Sequence, residues 1–328
     1  MTRANGTGPV VYFGKLPSRG DFVRSAQEPQ LVHTLDDWLA RGMDLLSGDV
    51  RWKLIYDEAP PASFAFMGSR SRIALSGHLT PSFDASRRRF PFIAATAVEI
   101  DQPMRFIARS PLALSPLWGR LEALATDAFA AAEPAPALDA ITNADLSCDT
   151  RVTALDDQFD AMLDEATIGD LEDWLVAAGH VVSVRRSVIA LGLLLQPLIA
   201  SPTAQLDKAL VLPLPRAERR RFFVAALWSD LVTRFLARSD VEIGLFMGQI
   251  ETLPSMLIGF NGASARVFQS LVDPEACRDH GVSIAHADWI EEWVDQDYAL
   301  RKLSDYMEQR SLSLRQMLTT FGETFIGA

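Results

Sequence analysis

Cysteine is scarce: the 328 residues contain only two, Cys148 and Cys277. Two thiols can close at most one bridge, so the fold cannot rest on a disulfide framework, and a reducing compartment is the simpler setting. Histidine is limited to five scattered positions. Cys277, His280 and His286 fall near one another but match no familiar zinc spacing and lack a fourth ligand, so no metal site is expected. A membrane-length apolar run, which takes about 20 residues, is also missing. The longest one, Val188–Leu195, is closed off by Arg185 and Arg186 on one side and Pro197 on the other. The first residues are polar, without the apolar centre of a signal peptide. Basic charge is in deficit, with 31 Lys and Arg against 42 Asp and Glu and a net charge of −11. That speaks against nucleic acid as a partner, because phosphate binding rests on clustered Lys and Arg. A cytoplasmic protein without membrane insertion is the expectation.

Catalytic signatures are missing too. Gly14-Lys15 has neither the preceding glycine nor the following Ser or Thr of a phosphate-binding loop. There is no G-x-G-x-x-G after a strand, no G-x-S-x-G elbow and no H-E-x-x-H. No catalytic, cofactor-binding or metal-binding residue is assigned, and no cofactor is expected.

What is present is an ordinary globular composition, 48% hydrophobic and 22% charged. The length suits two domains, or one with insertions. The stretch Gly8–Phe22 organises the rest: Val10–Phe13 reads as a buried strand, Gly14 frees the backbone at its end, and Pro17 stops it. Ser18-Arg19-Gly20-Asp21 then makes a dense polar turn. A second block follows, Gly77-His78-Leu79-Thr80-Pro81-Ser82-Phe83-Asp84 and then Arg88-Arg89-Phe90-Pro91-Phe92.

These two blocks, with an amphipathic helix bearing Trp38 and Leu39 after the first, resemble the TagF (ImpM) family that accompanies bacterial type VI secretion systems. The resemblance covers residues 8–130 well and 210–275 faintly, and leaves 136–208 and the end after 280 uncovered. It implies a three-layer α-β-α sandwich with a largely antiparallel sheet, longin- or profilin-like. It also implies a non-enzymatic accessory protein that regulates assembly, usually by repression, through a forkhead-associated-domain scaffold protein. Two other classes stand beside it: an enzyme acting on a phosphorylated group through Asp21, Asp84 and Arg89, and a structural component of the secretion apparatus.

Along the chain, Leu31, Leu35, Trp38, Leu39 and Leu46 predict a helix that Gly48 stops. Ser63–Met67 and Arg72–Leu79 predict a hairpin turning at Gly68-Ser69-Arg70, and Phe92–Val98 a further strand. Ser115–Ala131 predicts a helix, closed by Pro134-Ala135-Pro136. The expected division is an α/β domain over 1–134 and an α/β region over 135–328. The second holds an acidic helical insertion at 140–208 and terminal helices at 288–325. Between Asp145 and Asp173 acidic residues outnumber the single Arg151; they read first as a solvated face and second as a dock for a basic partner. His180–Leu195 fits helix and strand equally. Ala209–Pro213, Glu242–Met247 and Ser255–Phe260 predict strands, and the segment after Pro215 a buried helix whose first turn carries Arg216, Arg219, Arg220 and Arg221. Asp288 with Glu291 predicts a capped start for a helix bearing Trp289, Trp293, Leu300, Leu303 and Met307.

The polar residues of the two motifs are Lys15, Ser18, Arg19, Asp21, Ser82, Asp84, Arg88 and Arg89. Both loops follow strands and are expected to meet at one edge of the sheet, with Asp21 and Asp84 pairing with arginines and capping loop amides. They read first as a structural cluster and second as a recognition surface. The aromatics of the last segment, Trp289, Trp293, Tyr298, Tyr306, Phe321 and Phe325, are expected to pack on the preceding domain, or else to form an exposed docking patch.

Overall fold

The apolar runs become strands with both faces covered. A computed structural model describes residues 6–200, 206–237 and 239–327. Its first half supplies β1 (Val11–Gly14), β2 (Val23–Arg24), β3 (Ala62–Gly68), β4 (Ile73–Thr80) and β5 (Phe92–Glu99). Its second half supplies β6 (Ala209–Pro213), β7 (Glu242–Ile250), β8 (Leu253–Gly259) and β9 (Gly281–Ser283). All nine join in one sheet ordered β2-β1-β5-β4-β3-β7-β8-β6-β9. Neighbours are antiparallel except β6 and β9. The two halves meet where β3 pairs with β7, from Ser63 opposite Met247 to Gly68 opposite Glu242.

The period of two along each strand sorts side chains to opposite faces. Ala65, Met67, Ala94, Leu245 and Met256 point to one core, and Phe64, Ile93, Ala95, Phe246 and Leu257 to the other. The second core is covered by α1 (Pro29–Leu46), α2 (Trp52–Glu58) and two short helices from the far half of the chain. Trp38 of α1 is buried against Phe64, Phe66, Phe246 and Phe268, and its indole N–H donates to the Ser264 carbonyl at 3.3 Å. Gly42 in the same helix faces the Phe268 ring with no room for a Cβ.

The first core lies under a thicker helical layer. α3 (Pro103–Ala130), α4 (Ala135–Thr142), α5 (Val152–Glu165), α6 (Ile168–Ala177), α7 (Val184–Ala200) and α8 (Glu218–Leu236) supply most of it. α9 (Ala265–Val272) and α10 (Pro274–His280) are the two short helices on the opposite face. A 3-10 turn at Asp288–Ile290, α11 (Glu291–Gln296), α12 (Tyr298–Met307) and α13 (Leu314–Phe325) complete the thick layer. Trp118 of α3 donates its N–H to Ser76 Oγ at 2.8 Å, and Trp228 of α8 to the Pro213 carbonyl at 2.9 Å, so both buried indoles are tied to the sheet.

The α/β class with a mostly antiparallel sheet holds. The sheet runs across residue 134, which falls between α3 and α4. Several elements depart from expectation. The helix expected over Ser115–Ala131 begins at Pro103 and passes through Pro111 and Pro116. The short helix α2 has no counterpart among the predicted elements. The ambiguous run at 180–195 is helical from Val184 on. The single helix expected after Asp288 is broken at Asp297, whose carboxylate caps the amides of Ala299 and Leu300. Asp288 itself caps nothing; it pairs with Arg186.

The acidic segment is partnered from within. Asp156 takes Arg105 and Arg109, Asp160 and Asp164 take Arg315, and Glu172 and Asp173 take Arg310. At the start of α8, Arg220 stacks on Trp174 of α6, 4.7 Å from the ring centre. The four described arginines that α5 and α6 engage as ion pairs therefore come from α3 and from the C-terminal segment.

Candidate functional site

Gly14 ends β1 with φ 133, and a Cβ there would collide with the Pro91 carbonyl and Phe92 at the start of β5. Glycine is required on both counts. It lets the loop after β1, carrying Lys15, Ser18, Arg19 and Asp21, lie against the loop between β4 and β5, carrying Ser82, Asp84, Arg88 and Arg89. The contact is direct. Ser82 Oγ donates to the Lys15 carbonyl at 2.6 Å, the Ala85 amide to the Arg19 carbonyl at 2.8 Å, and Arg88 Nη2 to the Gly20 carbonyl at 2.6 Å.

Asp84 is the centre of the junction and is fully buried. Its Oδ2 sits 3.1 Å from Lys15 Nζ and 2.7 Å from Arg88 Nε. Its Oδ1 accepts the amides of Ser86 and Arg88, each at 2.9 Å. Loss of water pushes the carboxyl's pKa up, but the Arg88 amide and the Lys15 and Arg88 side chains outweigh it and hold it well below the usual carboxylate range. Beneath lie Phe13, Phe22 and Phe90, with ring centres 4.9 to 5.7 Å apart. Lys15 Nζ rests 4.9 Å from the centre of the Phe22 ring.

The remaining motif residues do not join this centre. Asp21 accepts its neighbour's amide, Phe22, at 2.8 Å and reaches no arginine among the described residues. Arg19 lies 3.9 Å from Glu133 at the surface. The Ser18 hydroxyl oxygen is buried without a partner. Arg89 turns away and grips Asp57 of α2 with two hydrogen bonds, at 2.7 and 2.5 Å. The expected grouping of Asp21, Asp84 and Arg89 is thus corrected. Although consecutive, Arg88 and Arg89 go to different partners, one to Asp84 and the other to Asp57.

Sequence reasoning missed Tyr56, Asp57, Phe83 and Arg87, which the fold places beside the motif residues. Tyr56 is buried, and its hydroxyl oxygen accepts the Ser82 amide at 3.0 Å. Arg87 adopts φ 63 and lies 4.2 Å over the Phe83 ring. A second cleft, about 580 Å³, opens between the sheet, α3 and the start of α8. Buried Ser63 and His78 sit at its wall with Oγ and Nδ1 3.1 Å apart, and burial lowers the His78 pKa to about 4. Arg216 and Arg221 line that cleft together with Glu122 and Glu218, so its formal charges balance.

One comparison, with family models, agrees with the two motifs. Residues 11–144 match the family model described as the TagF N-terminal domain, type VI secretion system-associated. The comparison with curated proteins finds no match. Among solved structures, the crystal structure of PA0076 from Pseudomonas aeruginosa PAO1 is 26% identical with a TM-score of 0.34. That match covers 42% of this chain and 64% of the Pseudomonas chain, less than two thirds of its length. Residues 11–144 are thus similar to the TagF N-terminal domain, a family described as type VI secretion system-associated.

Proposed function

We propose that this protein is a cytoplasmic, non-enzymatic regulator of a bacterial type VI secretion system, which represses assembly by binding a forkhead-associated-domain scaffold protein. The observation that carries the reading is the similarity of residues 11–144 to the TagF N-terminal domain, with both motifs folded into one junction. The chemistry of that junction supports a binding rather than a catalytic role. Both Asp84 oxygens are occupied by cations and amides, and the lowered pKa makes the carboxylate a poor base. Two loops cross-linked around a buried, fully partnered Asp84 are instead suited to presenting a fixed surface.

The test pairs the purified protein with the forkhead-associated-domain protein of the same secretion system. Co-elution is expected, and overproduction in a secreting strain should reduce secretion. Absence of a complex would remove the partner from this reading; a complex with undiminished secretion would remove repression. Asp84→Asn should weaken the complex through loss of the junction and should abolish no turnover.

A further inference from the structure

Beside the Asp84 junction a cavity of about 580 Å³ opens between α2, the loop after β4 and the C-terminal part of α3. Its volume is in the range of ligand-binding sites. Three of its groups are donors. Tyr56 is buried, its oxygen accepts the Ser82 amide, and its own O–H donates to no acceptor among the described residues. Burial pushes the Tyr56 pKa up, so the proton stays on. Arg87 is exposed and held in a left-handed backbone conformation over Phe83, with no carboxylate within ion-pair distance among the described residues. Arg89 lines the same space, its position fixed by Asp57. Pro81, Phe83 and Phe129 form apolar walls, with Phe83 and Phe129 edge to face at 6.2 Å.

We propose that this cavity is an oxyanion-binding site, in which Tyr56, Arg87 and Arg89 hold a phosphoryl or carboxylate group whose apolar or aromatic stem lies against Phe83 and Phe129. A buried hydroxyl proton without an acceptor is costly, and a ligand acceptor oxygen relieves it. Guanidinium groups match the oxygen pairs of both anions. Asp57 is the one carboxylate of the lining and is taken by Arg89, so Arg87 leaves the cavity with one uncompensated positive charge in a chain of net charge −11. The charge-balanced cleft beside His78 has no such bias. The pocket would bind an oxyanion whether or not the protein is a secretion regulator.

Titration calorimetry on the full chain, with phenyl phosphate and with benzoate as probes, tests this. Saturable binding of at least one probe is expected. Arg87→Gln and Arg89→Gln should each weaken it about tenfold or more, the scale of losing a charge-assisted hydrogen bond. Arg216→Gln, in the other cleft, should leave it unchanged. Preference for phenyl phosphate would identify the phosphoryl group as the ligand, and equal or tighter binding of benzoate the carboxylate; either supports the site. If Arg89→Gln fails to fold, Arg87→Gln and Tyr56→Phe decide, since Arg87 is exposed and makes no ion pair. No saturable binding by the folded wild-type chain, or binding that survives the Arg87 and Arg89 substitutions, would overturn the proposal.

Discussion

His78 shows how burial becomes a pH dependence. Its pKa is lowered from 6.5 to about 4 because the imidazole is desolvated beside Ser63. Between those values the unfolded chain takes up the proton and the folded chain does not, so stability rises with pH. The contribution is complete above pH 6.5 and is lost as pH falls toward 4. At full extent it is roughly 3 kcal/mol. His180 is shifted the same way by burial and adds to the slope. Asp84 acts lower down: its folded pKa lies below the usual 3.8, so its stabilisation is present above that value and disappears as pH drops further. His78→Gln should therefore flatten the thermal midpoint between pH 6.5 and 4 while leaving the decline below 4; an unchanged slope across the upper window would show that His78 titrates normally. At this scale the junction was legible, because both motif loops follow strands that could be read from apolar runs. The destination of each arginine was not. Which of Arg88 and Arg89 faces Asp84 depends on the path of an irregular loop, and Asp57 and Tyr56 come from a seven-residue helix without a periodic signal.

Helix α3 is expected only from Ser115 on, and its earlier part has a physical explanation. Pro111 and Pro116 suggest breaks, since each removes an amide donor from the helix interior. Each is preceded by serine, and the hydroxyl replaces the missing donor. Ser110 Oγ donates to the Ile107 carbonyl at 2.9 Å and Ser115 Oγ to the Leu112 carbonyl at 3.1 Å, the two oxygens the prolines leave open. Ser110 is fully buried, so Ser110→Ala strands the Ile107 oxygen away from water. The expected cost is about 1–3 kcal/mol by denaturant unfolding, against under about 1 kcal/mol for the half-buried Ser115→Ala. Equal small effects would mean the carbonyls find other partners. The terminal helices divide the aromatics that sequence had grouped. Phe321 and Phe325 pack on Phe235 in the core, whereas Trp293 is 55% and Tyr298 80% exposed. Helical spacing identified the apolar face, but not that Asp297 breaks the segment and turns Tyr298 outward. Phe321→Ala should cost about 3–5 kcal/mol and Trp293→Ser less than about 0.5 kcal/mol in the same unfolding assay. A reversed order would mean that these helices dock differently.

The whole molecule raises the question of whether the family-matched segment can stand alone. The matched residues 11–144 end after α4, and within them β3 would be an edge strand. In the full chain that edge pairs with β7 along six residues, from Ser63 to Gly68, and α8 lies on α3. Cutting at 144 would leave the β3 backbone groups unpaired and expose apolar surface on both faces of the sheet: Phe64 would lose Phe246, and Trp118 would lose Phe222. An exposed hydrophobic edge strand is a template for aggregation. Nothing in the sequence warns of this, because a strand read from its own apolar run carries no mark of which distant neighbour it will find. The full chain should unfold in one transition, with tryptophan fluorescence and far-UV circular dichroism coincident, since Trp38, Trp118 and Trp228 all sit in cores shared by the two halves. The fragment ending at residue 144 should be aggregated or lack near-UV dichroism. A soluble, monomeric fragment with a cooperative transition of its own would show instead that the sheet is two independent units joined at β3 and β7.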